Sequence, residues 1–325
     1  MNILFILGNG FDLNLGLKTS YQDFYDFYKS IATENDNLIH LKKDISKNFK
    51  NWSDLELAIG NYTDNVNSLD EFDLFFDDLS EKLSQYIGKQ ENEYDFTQID
   101  KNKLFEYFSK PEKFLLPADE QNILTFKNTW NNHHWNTNII TFNYTRTVEK
   151  IIGDKYEGVE IGKQRNSLPI MLSKIEHIHG YWNDRMILGV NDVRQVKNKK
   201  LHNNQDIIES IIKTDCNKAL KHAIDQSCIA KIKNAHLICI FGSSLGATDN
   251  FWWELIGRQL KRESFRLIIF DKGPKIPSQF SRKTSRYERA KRKLFLDKTK
   301  LSDLEKNKLS DKILVGYNTD MFKLN

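Results

Sequence analysis

Short apolar runs alternate with longer segments of helical periodicity along most of the chain. Between the runs, apolar residues recur at steps of three and four, which is the spacing of an amphipathic helix. Since strands that alternate with helices pair into a parallel sheet, the pattern predicts an α/β fold with the first run as its central strand. The runs with the length and composition of strands are 3–7, 138–142, 174–178, 186–190, 236–241, 265–270 and 313–317.

More than a hundred residues lie between the first two runs, and their apolar positions have helical spacing. One such series is Leu69, Phe72, Phe76, Leu79, Leu83 and Tyr86. The sequence therefore predicts one α/β domain, formed by residues 1–34 and 136–325, with a helical insertion or subdomain at 35–135.

The composition indicates a globular protein and argues against disulfide-rich, zinc-thiolate and membrane proteins. With 325 residues, of which 39% are hydrophobic, the chain can bury a full core. Cys216, Cys228 and Cys239 have no C-x-x-C spacing and cannot pair evenly, so we expect no disulfide framework, no thiolate zinc site and no bound metal. No apolar run approaches the ~18 residues that a membrane helix needs, and the first run lacks a basic flank. We therefore expect a cytoplasmic protein without membrane contact.

Charge is distributed unevenly. Residues 1–100 contain 8 Lys and Arg against 19 Asp and Glu, whereas residues 258–312 contain 18 against 7. The basic segment 258–312 could follow the phosphate backbone of a nucleic acid. It could also be the solvated face of a helix that docks on the acidic half, which is the interpretation we favour.

Glycines and polar residues follow the predicted strands at their carboxyl ends, where open α/β sheets bind ligands. The first strand leads into Gly8-Asn9-Gly10, a G-x-G turn that lacks the third glycine of the dinucleotide fingerprint because Leu13 stands there. We expect residues from four of these ends, Gly10, Asn143, His179 and Ser243, to line one cleft. The candidate residues at the carboxyl ends of the later strands are Asn143, His179, Gly242, Ser243, Ser244 and Asp271.

Each of these residues also has a structural interpretation. The glycines can serve only to permit a positive φ, and Asn143, Ser243 and Ser244 can cap helices. A single histidine at a strand end, such as His179, is often a buried structural residue. Their joint occurrence at strand ends favours a shared site.

Five segments resemble the AbiH family of bacterial phage abortive infection proteins, and together they extend over most of the chain to about residue 270. They are "GNGFDLNLGLKTSYQDF", "WSDLE", "ITFNYTRTVEKI", "HIHGYW" and "IFGSSLGATDNFWWELI". The same segments, in the same order, resemble a diverged sirtuin-type NAD-binding domain. The pattern of that domain is G-A-G-x-S-x-x-x-G-I-P, a strand that ends in Asn-x-Asp, then His-Gly, then Gly-Thr-Ser-Leu.

The sirtuin resemblance implies a role for each matching residue. The first phosphate loop corresponds to Gly8, Asn9, Gly10 and Asp12, and the loop on the adenosine side to Gly242, Ser243 and Ser244. Asn143 corresponds to the asparagine beside the nicotinamide ribose, His179 to the catalytic histidine and Asp271 to a ribose-binding residue. The chain departs from the pattern at three positions: it has Asp12 where the pattern has Ser, Lys18 where it has Pro, and Thr145 where it has Asp. It also lacks the zinc cysteines of sirtuins.

The resemblance implies a Rossmann-like parallel sheet of the sirtuin-like type and an NAD hydrolase of bacterial defence, with NAD as the substrate. In such a site Asn143 positions the attacking water or the ribose. His179 accepts a proton from a ribose hydroxyl or from that water, since its reference pKa of ~6.5 suits a base. Two alternatives stay open, a module that senses a nucleotide or nucleic acid and a nuclease or nucleotide hydrolase. A phage-derived activator and self-association also stay open as partners.

Overall fold

The computed structural model describes residues 1–153 and 155–324, and within them seven strands form one sheet. The strand order is β3-β4-β2-β1-β5-β6-β7, and every pair is parallel except the antiparallel pair of β3 and β4. The strands are β1 (Asn2–Leu7), β2 (Trp135–Thr141), β3 (Val159–Lys163), β4 (Pro169–His177), β5 (Leu237–Phe241), β6 (Arg266–Asp271) and β7 (Ile313–Tyr317).

Fourteen α-helices in the described residues connect and cover these strands, together with short 3-10 turns such as Ala247–Asp249. They are α1 (Gly10–Leu15), α2 (Tyr21–Ser30), α3 (Asp36–Lys47), α4 (Leu55–Tyr62), α5 (Leu69–Glu93), α6 (Lys101–Ser109), α7 (Pro117–Asn128), α8 (Thr147–Ile152), α9 (Gln205–Ile211), α10 (Lys213–Ala219), α11 (Ile224–Asn234), α12 (Asn250–Gln259), α13 (Thr284–Asp297) and α14 (Asp303–Leu309). No helix of the described residues has the length and apolar content that a membrane crossing requires. The fold is therefore mixed α/β, as predicted.

The first strand lies at the centre of the sheet, which confirms the prediction from its apolar sequence. Phe5 of β1 lies opposite Ile139 of β2 on one side and Cys239 of β5 on the other. The six parallel strands follow the doubly wound order, in which the chain runs outward from β1 in one direction and then in the other. The direction changes at β1, and this is where such sheets form a crevice for ligands.

One predicted strand is absent from the described residues, and one strand of the sheet was not predicted. The run 186–190 is not a strand, because its backbone folds back over the preceding turn: the Ile187 N–H donates to the His179 carbonyl, and Val190 makes only an isolated bridge to Ile212. Conversely, β3 escaped prediction because its sequence, VEIGK, has only one buried side chain. Val159 and Ile161 alternate with polar Glu160, but two apolar residues are too few to predict a strand.

The helices between β1 and β2 pack in two groups. Helices α2 to α5 surround an apolar cluster rich in aromatic rings, which also takes in Val190 and Ile207. Helices α6 and α7 instead cover the sheet, since Leu104 and Ile123 pack in the same cluster as Phe5. The long helix α5 spans the series of apolar residues from which it was predicted.

The basic segment does not dock on the acidic half in the way we expected. Helix α13 packs against β7, and its Lys291 forms an ion pair with Asp271 at the end of β6. Arg292 pairs with Glu288 of its own helix and donates through Nε to the Ile313 carbonyl. The contacts of these basic residues thus lie within the carboxyl-terminal half. Several basic side chains of α13 are exposed to solvent.

Candidate functional site

A cavity of about 370 Å³ opens at the carboxyl ends of β1, β2, β4 and β5. It lies at the change of direction of the sheet, where a ligand crevice is expected. Asp271 lies outside it, and its carboxylate is 2.7 Å from Lys291 Nζ. Nine of the ten residues singled out from the sequence line this cavity: Gly8, Asn9, Gly10, Asp12, Asn143, His179, Gly242, Ser243 and Ser244.

The glycine turn after β1 packs directly on the turn after β5. The Gly10 N–H donates to the Gly242 carbonyl at 2.8 Å, and the Gly8 N–H donates to the Phe241 carbonyl at 2.9 Å. A Cβ at Gly10 would lie 2.6 Å from the Gly242 Cα, so no other residue fits there without a backbone shift. The two glycines are thus required by the contact between two backbones, and their N–H groups are not offered to a phosphate.

Asp12 is a buried carboxylate on the cavity wall, with only 1% of its surface exposed. Its Oδ2 accepts a hydrogen bond from Thr145 Oγ1 at 2.6 Å, and its buried Oδ1 has no hydrogen-bond partner among the described residues. Burial raises the pKa of Asp12 to about 6, although the polar side chains of Thr145, Thr147 and Asn143 act in the opposite direction. The carboxyl group can therefore gain or lose a proton near neutral pH.

Asn143 and His179 are also buried, with 5% and 2% of their surfaces exposed. Asn143 Oδ1 has no hydrogen-bond partner, and the His179 ring lies against Phe142 with 5.2 Å between centroids. Burial lowers the pKa of His179 well below 6.5, and the positive charges of Lys213 and Arg185 lower it further. The imidazole is therefore neutral at physiological pH, and it is a weaker base than its reference pKa suggested.

An ionic bridge through the buried Lys213 joins two carboxylates of the cavity wall and was not predicted from the sequence. Lys213 Nζ donates to Glu56 Oε2 at 2.7 Å and to Asp249 Oδ1 at 2.8 Å. Asp249 Oδ1 also lies 3.3 Å from His179 Nε2. Burial lowers the pKa of Lys213, but Asp249 and Glu56 more than offset this effect, so the pKa is raised and the ammonium stays charged.

Glu56 connects the helices of the first half to the sheet. It belongs to α4 and accepts hydrogen bonds from Thr248 Oγ1 at 2.8 Å and from Tyr144 OH at 3.0 Å. Burial raises its pKa in spite of the attraction of Lys213. Its segment, WSDLE, was part of the family resemblance, and this was the one signal that could have identified it.

The electrostatic character of the lining is acidic. Asp12, Asp54, Glu56 and Asp249 contribute carboxylates, and none of the described lining residues is Lys or Arg. Among the described residues, no group of three or more His, Cys, Asp or Glu side chains is arranged to hold a metal ion. Such a lining stabilises a positive charge on a bound molecule more readily than a negative one.

Comparison with known proteins gives one family. A family model described as "Bacteriophage abortive infection AbiH" matches residues 4–271, a range that contains most of β1, all of β2 to β6 and all the lining residues named above. No curated protein matches the chain.

Proposed function

The chain belongs to the AbiH family of bacteriophage abortive infection proteins, and we propose that it acts in this defence as a NAD glycohydrolase. The reaction splits NAD and water into nicotinamide and ADP-ribose. The observation that carries the proposal is a cavity between the polar ends of β1, β2, β4 and β5, whose described lining residues include four carboxylates and no Lys or Arg. Lys213, which lies outside the lining, pairs with two of these carboxylates, Glu56 and Asp249. The sirtuin-like order of those strand ends is what suggests NAD.

The charge of the cavity fits this chemistry better than it fits binding of a pyrophosphate. The nicotinamide ring of NAD is a cation, and as it leaves, the positive charge moves to the ribose in an oxocarbenium-like transition state. Fixed carboxylates near that ribose stabilise the charge as it develops. The pyrophosphate is repelled by the same carboxylates, so in this proposal it points out of the cavity.

Asn143 and His179 have complementary tasks in the proposed site. The Asn143 amide, whose Oδ1 is buried without a partner, holds the ribose or the water by hydrogen bonds. The neutral His179 accepts a hydrogen bond from a ribose hydroxyl through Nε2, which has no aligned partner. Both groups are fixed before the substrate binds, so little reorganisation is needed during the reaction.

The test is release of free nicotinamide from NAD by the purified protein, with and without phage lysate to supply an activator. We expect release by the wild type and a loss of ~10²–10⁴-fold in Asn143→Ala and His179→Ala, together with loss of protection against phage. The matched control is His40→Ala, since His40 is an exposed residue of α3. Because Asn143 and His179 are buried, thermal unfolding is followed for each variant, and His179→Gln is tested as a second, larger replacement.

Two outcomes would contradict the proposal. If the wild type releases no nicotinamide with or without lysate, NAD hydrolysis is wrong, and sensing of a nucleotide or hydrolysis of another substrate has to be considered. If Asn143→Ala and His179→Ala protect cells as well as the wild type does, the cavity is not the active site.

A further inference from the structure

The sequence pattern assigned Asp12 to a phosphate loop, but its surroundings indicate a different role. We propose that Asp12 is the general base that takes the proton from the attacking water. This inference rests on the proposed hydrolysis of NAD, and it adds a catalytic residue that the sirtuin-like pattern does not contain, because that pattern has a serine at this position.

The hydrogen bonds of Asp12 leave one oxygen for a ligand. Thr147 Oγ1 donates to Thr145 Oγ1 at 3.0 Å, and Thr145 Oγ1 in turn donates to Asp12 Oδ2 at 2.6 Å. This chain of hydroxyl groups fixes the plane of the carboxylate. The second oxygen, Oδ1, is buried and unpaired, and Asp12 lines the cavity. A buried carboxylate oxygen without a donor is costly unless a ligand or water supplies one.

The charged neighbours of Asp12 favour proton uptake. Glu91 on α5 raises the pKa of Asp12 by charge repulsion, in addition to the larger effect of burial. Glu91 is itself held in place, since its Oε2 accepts from the Arg146 backbone N–H. The other carboxylates of the lining are Asp54, Glu56 and Asp249, and Lys213 is neutralised by the last two.

A base is most effective when its pKa lies close to the working pH. Burial brings the pKa of Asp12 to about 6, which meets this condition, whereas His179 titrates well below its usual range. The two groups therefore divide the work, with Asp12 acting on water and His179 on a ribose hydroxyl.

The proposed step balances as follows. The water oxygen forms a bond to C1′ of the ribose while the bond from C1′ to the nicotinamide nitrogen breaks. The electron pair of the broken bond goes to that nitrogen and neutralises the pyridinium charge. One proton of the water passes to Asp12 Oδ1 and is later released to solvent, so that NAD⁺ and water give ADP-ribose, nicotinamide and a proton.

The experiment compares Asp12→Asn, Thr145→Val and Thr145→Ser with the wild type. Asp12→Asn keeps the shape but cannot accept a proton, and we expect kcat to fall by ~10²–10⁴-fold. For the wild type, kcat/KM falls as the pH drops through about 6. Thr145→Val removes the donor that lowers the pKa of Asp12, so this inflection moves to higher pH, and Thr145→Ser restores it. The control is Asp225→Asn, because the Asp225 pKa is also raised to about 6 by burial, but this residue lies away from the cavity.

The results separate this inference from the proposed function. If the wild type cleaves NAD and Asp12→Asn does so at the same rate, or if Thr145→Val leaves the inflection where it was, the assignment of Asp12 is wrong although the activity stands. If the wild type does not cleave NAD, the proposed function is wrong, and protection against phage then decides the role of Asp12. An Asp12→Asn variant of normal stability and abundance that no longer protects supports a chemical role for Asp12, and one that protects fully overturns it.

Discussion

Replacement of Asp12 by Asn is expected to make the protein more stable above neutral pH. In the native protein the pKa of Asp12 is raised from 3.8 to about 6, mainly by burial. At 1.36 kcal/mol per pH unit, the ionised carboxylate costs the folded state about 3 kcal/mol. An amide of the same shape carries no charge to bury and can still accept the hydrogen bond from Thr145.

The sign of the pH dependence follows from the direction of the shift. Because the folded state binds the proton of Asp12 more tightly than the unfolded state does, the contribution of Asp12 to stability declines as the pH rises from about 4 through about 6. Above that range the loss of folding free energy caused by the ionised Asp12 no longer changes with pH. The free energy of unfolding of Asp12→Asn should therefore exceed that of the wild type by about 3 kcal/mol at pH 8, and by little or nothing at pH 4.

Urea unfolding of both proteins between pH 4 and pH 8 measures this difference. A useful control is Asp95→Asn, since hydrogen bonds with Thr97 lower the pKa of the exposed Asp95, and the same substitution should there reduce stability at neutral pH. A variant that is no more stable than the wild type at pH 8, or a difference that does not change with pH, would refute the view that Asp12 is buried at the expense of stability.

Three further predictions concern other parts of the structure. Lys213→Met leaves the buried Glu56 and the partly buried Asp249 without their cation and should reduce the free energy of unfolding by about 3–5 kcal/mol in urea titrations; a smaller loss than 1 kcal/mol would mean that water reaches them. Gly10→Ala should cost about 1–3 kcal/mol because of the contact between the two turns, whereas Gly246→Ala, with no atom closer than 3.6 Å to the new Cβ, should unfold at nearly the same temperature as the wild type. Segment 282–293 should give little binding of DNA or RNA at physiological salt in fluorescence anisotropy, because its Lys291 pairs with Asp271 and its Arg292 with Glu288; tight binding that weakens steeply as salt is raised would show that it contacts phosphates.

The sequence predicted the parts of the site that depend on the geometry of a parallel sheet. Asn143 and His179 are 36 positions apart, yet they meet because β2 and β4 are parallel neighbours that end at the same edge. The run at 186–190 was misassigned because apolar content alone cannot distinguish a strand from a buried loop.

The buried bridge could not be predicted in this way. Glu56 and Lys213 are 157 positions apart and lie on helices, where no rule of strand order brings them together. Nor does the sequence tell that Gly8 and Gly10 contact Gly242, because a glycine pair in a turn looks the same whether a backbone or a ligand lies against it. Contacts between loops depend on the final packing of elements that are distant in the chain.

The central position of β1 has a consequence for synthesis of the chain. This strand leaves the ribosome before the other six strands of the sheet, but its partner β5 ends only at Phe241. At about 5–20 residues per second, translation of the intervening segment takes roughly 10–50 s. During that time the buried, apolar β1 has an unpaired edge, while α2 to α5 can already assemble from contacts that are local in the chain. We therefore expect the nascent chain to need protection of β1, by a chaperone or by the early helices, until β5 has been translated.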